Sequence, residues 1–202
     1  MYSKRFPFVA LCLLCLCLTQ AALADIGIRG GVMYPRGDYK DFAKSGWRAE
    51  ITADVNMFSM PFLSTVIAFN VADFGKKESS WQPEDVTVTQ ESKTAITGGG
   101  VGLRFEPPSM AIRPFGEALV RLASIEQDYE SGLGGSELKS RTKIGYQVNA
   151  GLKFTLAPKV GLEAGATWLT FPNCKMTDKQ QEVEIDIQAF GIFAGLTLGI
   201  GL

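Results

Sequence analysis

Nine ionisable residues sit at alternate positions within otherwise apolar or glycine-rich segments, and any chemistry in this chain has to use them. Arg29, Arg48, Arg104, Arg121 and Lys153 are positive; Glu50, Asp54, Glu117 and Glu163 are negative. Two nearby carboxylates can do acid–base work or hold a metal, and Glu50 with Asp54 comes nearest to that pattern. Their even separation, however, puts both on one strand face with Arg48, which favours ion pairing over catalysis. The chain contains no histidine, which removes the Ser–His and Cys–His nucleophile systems and the commonest zinc ligand. Gly132-Leu133-Gly134-Gly135 lacks the Lys-Ser/Thr of a phosphate-binding loop and reads as a loop tip. No catalytic residue, metal ligand or cofactor is expected, and the chain is not expected to be an enzyme.

The segments that position these charges alternate with period two, as strands with one oily and one wet face do. The clearest runs from Thr142 to Leu156. Ile144, Tyr146, Val148, Ala150, Leu152, Phe154 and Leu156 share one face, while Lys143, Gly145, Gln147, Asn149, Gly151, Lys153 and Thr155 share the other. A tilted strand of about 9–11 residues crosses a bilayer, so this one is long enough. Comparable segments are predicted at 26–34, 46–57, 62–73, 94–105, 112–125, 160–170 and 184–202. The segment 112–125 is the least regular, because Leu119 falls on the otherwise wet face between Glu117 and Arg121.

The connections give a second signal. Phe58–Pro61, Glu106–Ala111 and Ala157–Lys159 are short, whereas Pro35–Ser45, Phe74–Lys93, Glu126–Arg141 and Pro172–Val183 are long and polar. Short turns alternating with long loops predict an all-β, eight-stranded antiparallel up-and-down transmembrane β-barrel with both termini in the periplasm. Tyr34, Trp47, Tyr146, Trp168 and Phe190 lie near the long-loop ends, and Phe105 and Phe154 near the short turns. They are expected to form two membrane-interface belts of aromatics.

Residues 1–24 have the grammar of a signal peptide: basic Lys4 and Arg5, an apolar run from Phe8 to Leu18, then Ala22-Leu23-Ala24. Cleavage after Ala24 would leave 25–202 as the barrel domain, with eighteen basic and twenty-one acidic residues. That balance gives no support to nucleic-acid binding. Cys12, Cys15 and Cys17 would leave with the signal, so a disulfide framework is excluded and Cys174 is expected as a free loop thiol.

The whole mature chain resembles the small eight-stranded outer-membrane barrels of the OmpA transmembrane-domain and OmpX type. The likeness lies in the glycine-rich alternating strands, in Arg113-Pro114-Phe115-Gly116-Glu117-Ala118, and in the last strand from Phe193 to Leu202. That last segment is similar to the family's assembly signal, with Leu202 where the family usually has an aromatic residue. The resemblance implies location in the outer membrane of a Gram-negative bacterium, contact with its lipids, and insertion by the barrel-assembly machinery through the C-terminal strand. The peptidoglycan-binding domain of OmpA-type proteins is not expected, since the chain ends at Leu202.

An eight-stranded barrel is only wide enough for its own side chains to fill. The nine inward charges should therefore pair inside it, with inward glycines making room for them. A salt-bridged structural barrel that presents its loops to an external partner is the leading expectation. A narrow pore gated by exchange of Arg–Glu partners, or a carrier of small molecules, is the alternative. A soluble lipocalin-like periplasmic binder fits less well, because its inner face would be apolar. The long loops carry Lys76, Lys77, Glu78, Glu84, Asp85, Glu91 and Lys93 around Trp81, and Glu126, Asp128, Glu130 and Glu137. No specific ligand follows from them. A closed sheet has no edge to pair, so a monomer is expected.

Overall fold

The computed structural model describes residues 24–56, 60–81, 88–108, 111–131, 134–139, 142–177 and 182–200. The predicted signal peptide up to residue 23, Phe58, Glu84 and Asp85, Gly132 and Leu133, and Gly201 and Leu202 lie outside them. The described strands are β1 (Ala24–Arg36), β2 (Gly46–Val55), β3 (Leu63–Trp81), β4 (Val88–Phe105), β5 (Ile112–Ser131), β6 (Gly134–Lys139), β7 (Lys143–Ala157), β8 (Val160–Thr177) and β9 (Glu182–Gly199). A 3-10 turn, Gly37–Asp41, stands between β1 and β2. Among the described residues no helix is long and apolar enough to cross a membrane.

Eight of these strands close an antiparallel up-and-down barrel. Each pairs with its sequence neighbour along the wall, β5 with β7, and β1 closes the ring on β9 through Asp25↔Gly199 to Arg36↔Gln188. The short β6 is a ninth strand that pairs with the upper end of β5 and touches β8 only at Lys139↔Thr177. Parity along each strand agrees with the sequence: Ile28, Ile51, Phe69, Val101, Val120, Ile144, Trp168 and Leu196 are exposed on the outer wall. So wide an apolar exterior is what lipid, rather than water, accommodates.

Two expectations need correction. Most of the long loops are continued sheet: β3 and β4 pair out to Trp81↔Val88, β5 and β6 from Glu126↔Lys139, and β8 and β9 out to Thr177↔Glu182. Gly134 and Gly135 accordingly begin β6 instead of forming part of a loop tip. Hydropathy hides these extensions because their outer faces are polar, as at Glu126 and Asp128 on β5 and Glu184 and Asp186 on β9, and because the inner faces mix apolar Ile185 and Ile187 with polar Ser92 and Gln127. Among the described residues the sheet parts between β3 and β9, where pairing stops at Gly46↔Phe74 and at Arg36↔Gln188. The 3-10 turn packs into that gap, chiefly against β9.

The second correction concerns the inner face, which is not charged throughout. Towards the long-connection end it is an apolar plug of Met33, Tyr39, Ala72, Phe74, Ile96, Ile125, Leu169, Phe171, Cys174 and Ile187, all buried. Tyr39 meets Phe74 edge-on with ring centroids 5.2 Å apart. Cys174 is therefore a buried core thiol in β8, not a loop thiol. The irregular parity of β5 has another cause: Leu119 is buried inside with Val66 and Ala68, a small apolar cluster separate from the plug, which β5 enters only at Ala123 and Ile125.

Candidate functional site

Below the plug the lumen is filled by charge. All nine inward ionisable residues named from the sequence are buried there. Strand register explains their convergence: Arg29 stands opposite Glu50 on β2 and Gly195 on β9, Arg104 opposite Glu117, and Lys153 opposite Glu163. A Cβ added to Gly195 would lie 2.8 Å from Arg29 Cγ, so the long side chain needs glycine beside it.

Arg29 donates from Nε to Glu163 at 2.9 Å and from Nη1 and Nη2 to Glu117 at 2.8 and 2.6 Å. It also reaches Glu50 at 3.4 Å. Arg104 donates to Glu163 at 2.6 Å, to Glu117 at 3.0 Å and to Glu106 at 2.9 Å, and lies 3.2 Å from Asp54. Arg48 and Arg121 both pair with Glu50, and they donate further to Thr167 at 2.9 Å and Gln147 at 2.7 Å. Asn149 donates to Glu117 at 2.6 Å. Four arginines thus face four carboxylates, and buried charges persist in this form because each is paired.

Lys153, the fifth cation, sits at the edge of that lattice and pairs with Asp25 at 3.0 Å and, at 3.9 Å, with Glu106, which Arg104 also binds. Arg113 reaches the same Glu106 at 2.8 Å. Asp25, Glu106 and Arg113 were not singled out as lumen charges from the sequence. Asp25 shares parity with Arg29, and Glu106 with Arg104, so period two already placed them inward; both stand at strand ends, where parity is easily assigned to a turn. Inward Phe115 and Phe193 were also missed. Arg104 lies 4.1 Å from the Phe115 ring centroid and Arg29 lies 5.3 Å from that of Phe193, so aromatic faces line the charges.

The lattice arrangement can neutralise charge, rigidify the wall and block the bore. Among the described residues no group of three or more His, Cys, Asp or Glu is placed to hold a metal ion. On the outer wall Tyr34, Trp47, Phe105, Tyr146 and Trp168 are exposed, while Phe154 and Phe190 are partly covered. Tyr34, Phe190 and Trp168 are register neighbours across β1, β9 and β8, at one height on the wall. Phe105 packs against Phe62 at 5.7 Å near the short turns.

This closed barrel with an apolar belt and a charged, filled bore has the fold of the small outer-membrane β-barrel proteins. No family model and no curated protein matches the sequence. Solved structures do match in fold. A major outer membrane protein of Thermus thermophilus superposes with a TM-score of 0.57 at 9% identity, over 88% of this chain and 99% of that one. The outer membrane protein OprG of Pseudomonas aeruginosa gives 0.54 at 10% identity, over 89% and 97%. Neisserial surface protein A gives 0.53 at 17% identity, over 88% and 96%. At such identities the likeness is one of fold.

Proposed function

We propose that this chain is exported, inserts into the outer membrane of a Gram-negative bacterium and serves there as a non-catalytic, non-conducting scaffold. Its task is to hold the sheet extensions of β3–β4, β5–β6 and β8–β9 outside the membrane for an external partner. The observation that carries this reading is the doubly filled bore, an ion-pair lattice beneath an apolar plug. Export follows from the signal-peptide grammar of 1–24, with cleavage after Ala24. Outer-membrane lipids around the aromatic belt, assembly through the last strand and a monomeric state belong to the same reading. The membrane-spanning wall offers no edge for a second copy.

The first test is the outer-membrane fraction run on a denaturing gel with and without boiling. A band that shifts on boiling supports a closed barrel in that membrane; an unshifted protein in the soluble periplasm overturns the reading and favours the lipocalin-like binder. Planar-bilayer recording then addresses conduction.

One observation favours a second reading, the gated narrow pore. Arg29 and Arg104 each reach several carboxylates, so partners can be exchanged without leaving a charge alone. Changed conductance in Glu117→Ala or Arg121→Ala supports that pore. Near-zero conductance in the wild type and both variants rejects it.

A further inference from the structure

The three sheet extensions above the belt are not held alike. β3 and β4 pair out to Trp81↔Val88, β4 pairs with β5 out to Gln90↔Ser131, and β5 pairs with β6 out to Ser131↔Gly134. Those strands make one continuous four-stranded sheet. The β8–β9 extension, 174–177 against 182–185, has no such flanks. On its β9 side, pairing with β1 ends at Arg36↔Gln188; on its β8 side, pairing with β7 ends at Tyr146↔Thr170. Among the described residues its one ladder contact outside itself is Lys139↔Thr177 on β6. A two-stranded ribbon is marginal in water unless it packs on something. Of its described side chains, Cys174 and Ile185 are buried towards the plug and Glu184 is exposed. Its hold on the barrel is therefore slight.

The base of this ribbon is built as a joint. The β8–β9 register shifts between Phe171↔Ile187 and Cys174↔Ile185, which leaves one extra residue on β8. Pro172 stands there and has no N–H to give to a ladder. Asn173 beside it has φ of 51°, in the left-handed region that few residues other than glycine adopt. Its N–H donates to Asp186 Oδ1 at 2.7 Å, so a side chain stitches the place where the ladder is interrupted. The 3-10 turn belongs to the other side of the gap. Lys77 Nζ donates to the Lys40 carbonyl, the Gly75 N–H to the Ser45 carbonyl at 3.4 Å, and the Ser92 hydroxyl to the Phe42 carbonyl at 2.6 Å. These ties fasten the turn, and the chain just after it, to β3 and β4. We propose that the ribbon is a strap that swings as one unit about Pro172 and Asn173, uncovering the outer side of the apolar plug while the rest of the barrel stays closed. Its unpaired edges let it move without breaking the four-stranded sheet or the spanning wall. The motion takes Cys174 and Ile185 out of the plug and leaves the ion-pair lattice beneath untouched.

Amide hydrogen exchange of the full mature chain in lipid nanodiscs, followed by NMR, tests this. Protected amides of 174–177 and 182–185 should share one protection factor, about tenfold or more below those of 77–80 in β3 and of 188–191 in β9. Asp186→Ala removes the stitch and should lower the strap's protection about threefold to tenfold further, the loss of one hydrogen bond. The amides of Phe42 and Ala43, which donate to the Tyr39 carbonyl at 3.1 Å, should keep their wild-type protection in that variant. A band shift on boiling checks that the variant folds; if it does not, the wild-type pattern decides alone. Protection that declines residue by residue towards Thr177 and Glu182 would mean fraying from the tip and overturn the proposal. Protection as high as that of 77–80 would mean a fixed ribbon and overturn it equally. So would an Asp186→Ala variant whose strap amides do not change, or one in which Phe42 and Ala43 lose protection together with the strap.

Discussion

Glu117 is the carboxylate on which the interior charges converge, accepting from Arg29, Arg104 and Asn149 at 2.6–3.0 Å. Removing one partner of a buried pair leaves the others desolvated and alone, so Glu117→Ala should destabilise the barrel by about 3–5 kcal/mol. Urea titration of tryptophan fluorescence in refolded liposomes measures this. Glu91→Ala breaks the exposed pair with Lys76 at 2.7 Å, and should change stability by less than about 1 kcal/mol. Steric fit is as local as charge. A Cβ on Gly145 would lie 2.3 Å from Phe171 Cδ1, so the ring occupies the space that glycine leaves. Gly145→Ala should cost about 1–3 kcal/mol by overpacking. Adding Phe171→Leu should recover part of that loss; an additive double variant would show that the two residues do not compete for one space.

At the scale of the element, the 3-10 turn Gly37–Asp41 acts as the lid of the plug. Tyr39 enters the core beside Phe74, and the Ser92 hydroxyl donates to the Phe42 carbonyl at 2.6 Å, tying the turn to β4. Cys174 reports on this packing: burial pushes its thiol up to about 11, so it stays neutral and shielded at pH 8. Thiol reagents should label the urea-unfolded chain much faster than the folded one. Tyr39→Ala should raise the folded-state rate by loosening the lid, and unchanged labelling would mean that the turn does not guard the plug. None of this was legible from hydropathy. The eight spanning segments were, because lipid on one side and a packed bore on the other force strict alternation, as at Ile144 to Leu156. Above the belt the outer faces are polar, so β3 beyond Asp73 and β8 beyond Phe171 lost that contrast and read as loop. The lattice was legible as parity, which put Arg29, Glu50 and Glu117 on one wet face. The plug was not, because Phe74 and Phe171 fall within or beside segments already given over to loop. The pairing of Lys153 with Asp25 and Glu106 depends on barrel closure, which brings strand ends distant in sequence together.

For the whole molecule, the two fillings of the bore act in series. The lattice is neutral, four arginines against four carboxylates, and its ions are held by bonds that salt screens little. The plug is apolar and needs no charge to exclude ions. A lesion in one layer therefore leaves the other as a barrier, and the consequence can be read as current across a planar bilayer. On the scaffold reading, Tyr39→Ala alone and Glu117→Ala alone should both stay near zero conductance, while the combined variant should conduct. The two fillings would then be independent seals. Conductance in Glu117→Ala alone would instead mean that the plug yields to ions and that exchange within the lattice sets the current, as the gated pore requires. Conductance in Tyr39→Ala alone would place the only effective barrier in the plug, leaving the lattice to hold the wall together. A silent double variant would show that the remaining Arg29, Arg48 and Arg121 contacts close the bore without Glu117, a stronger form of the same scaffold.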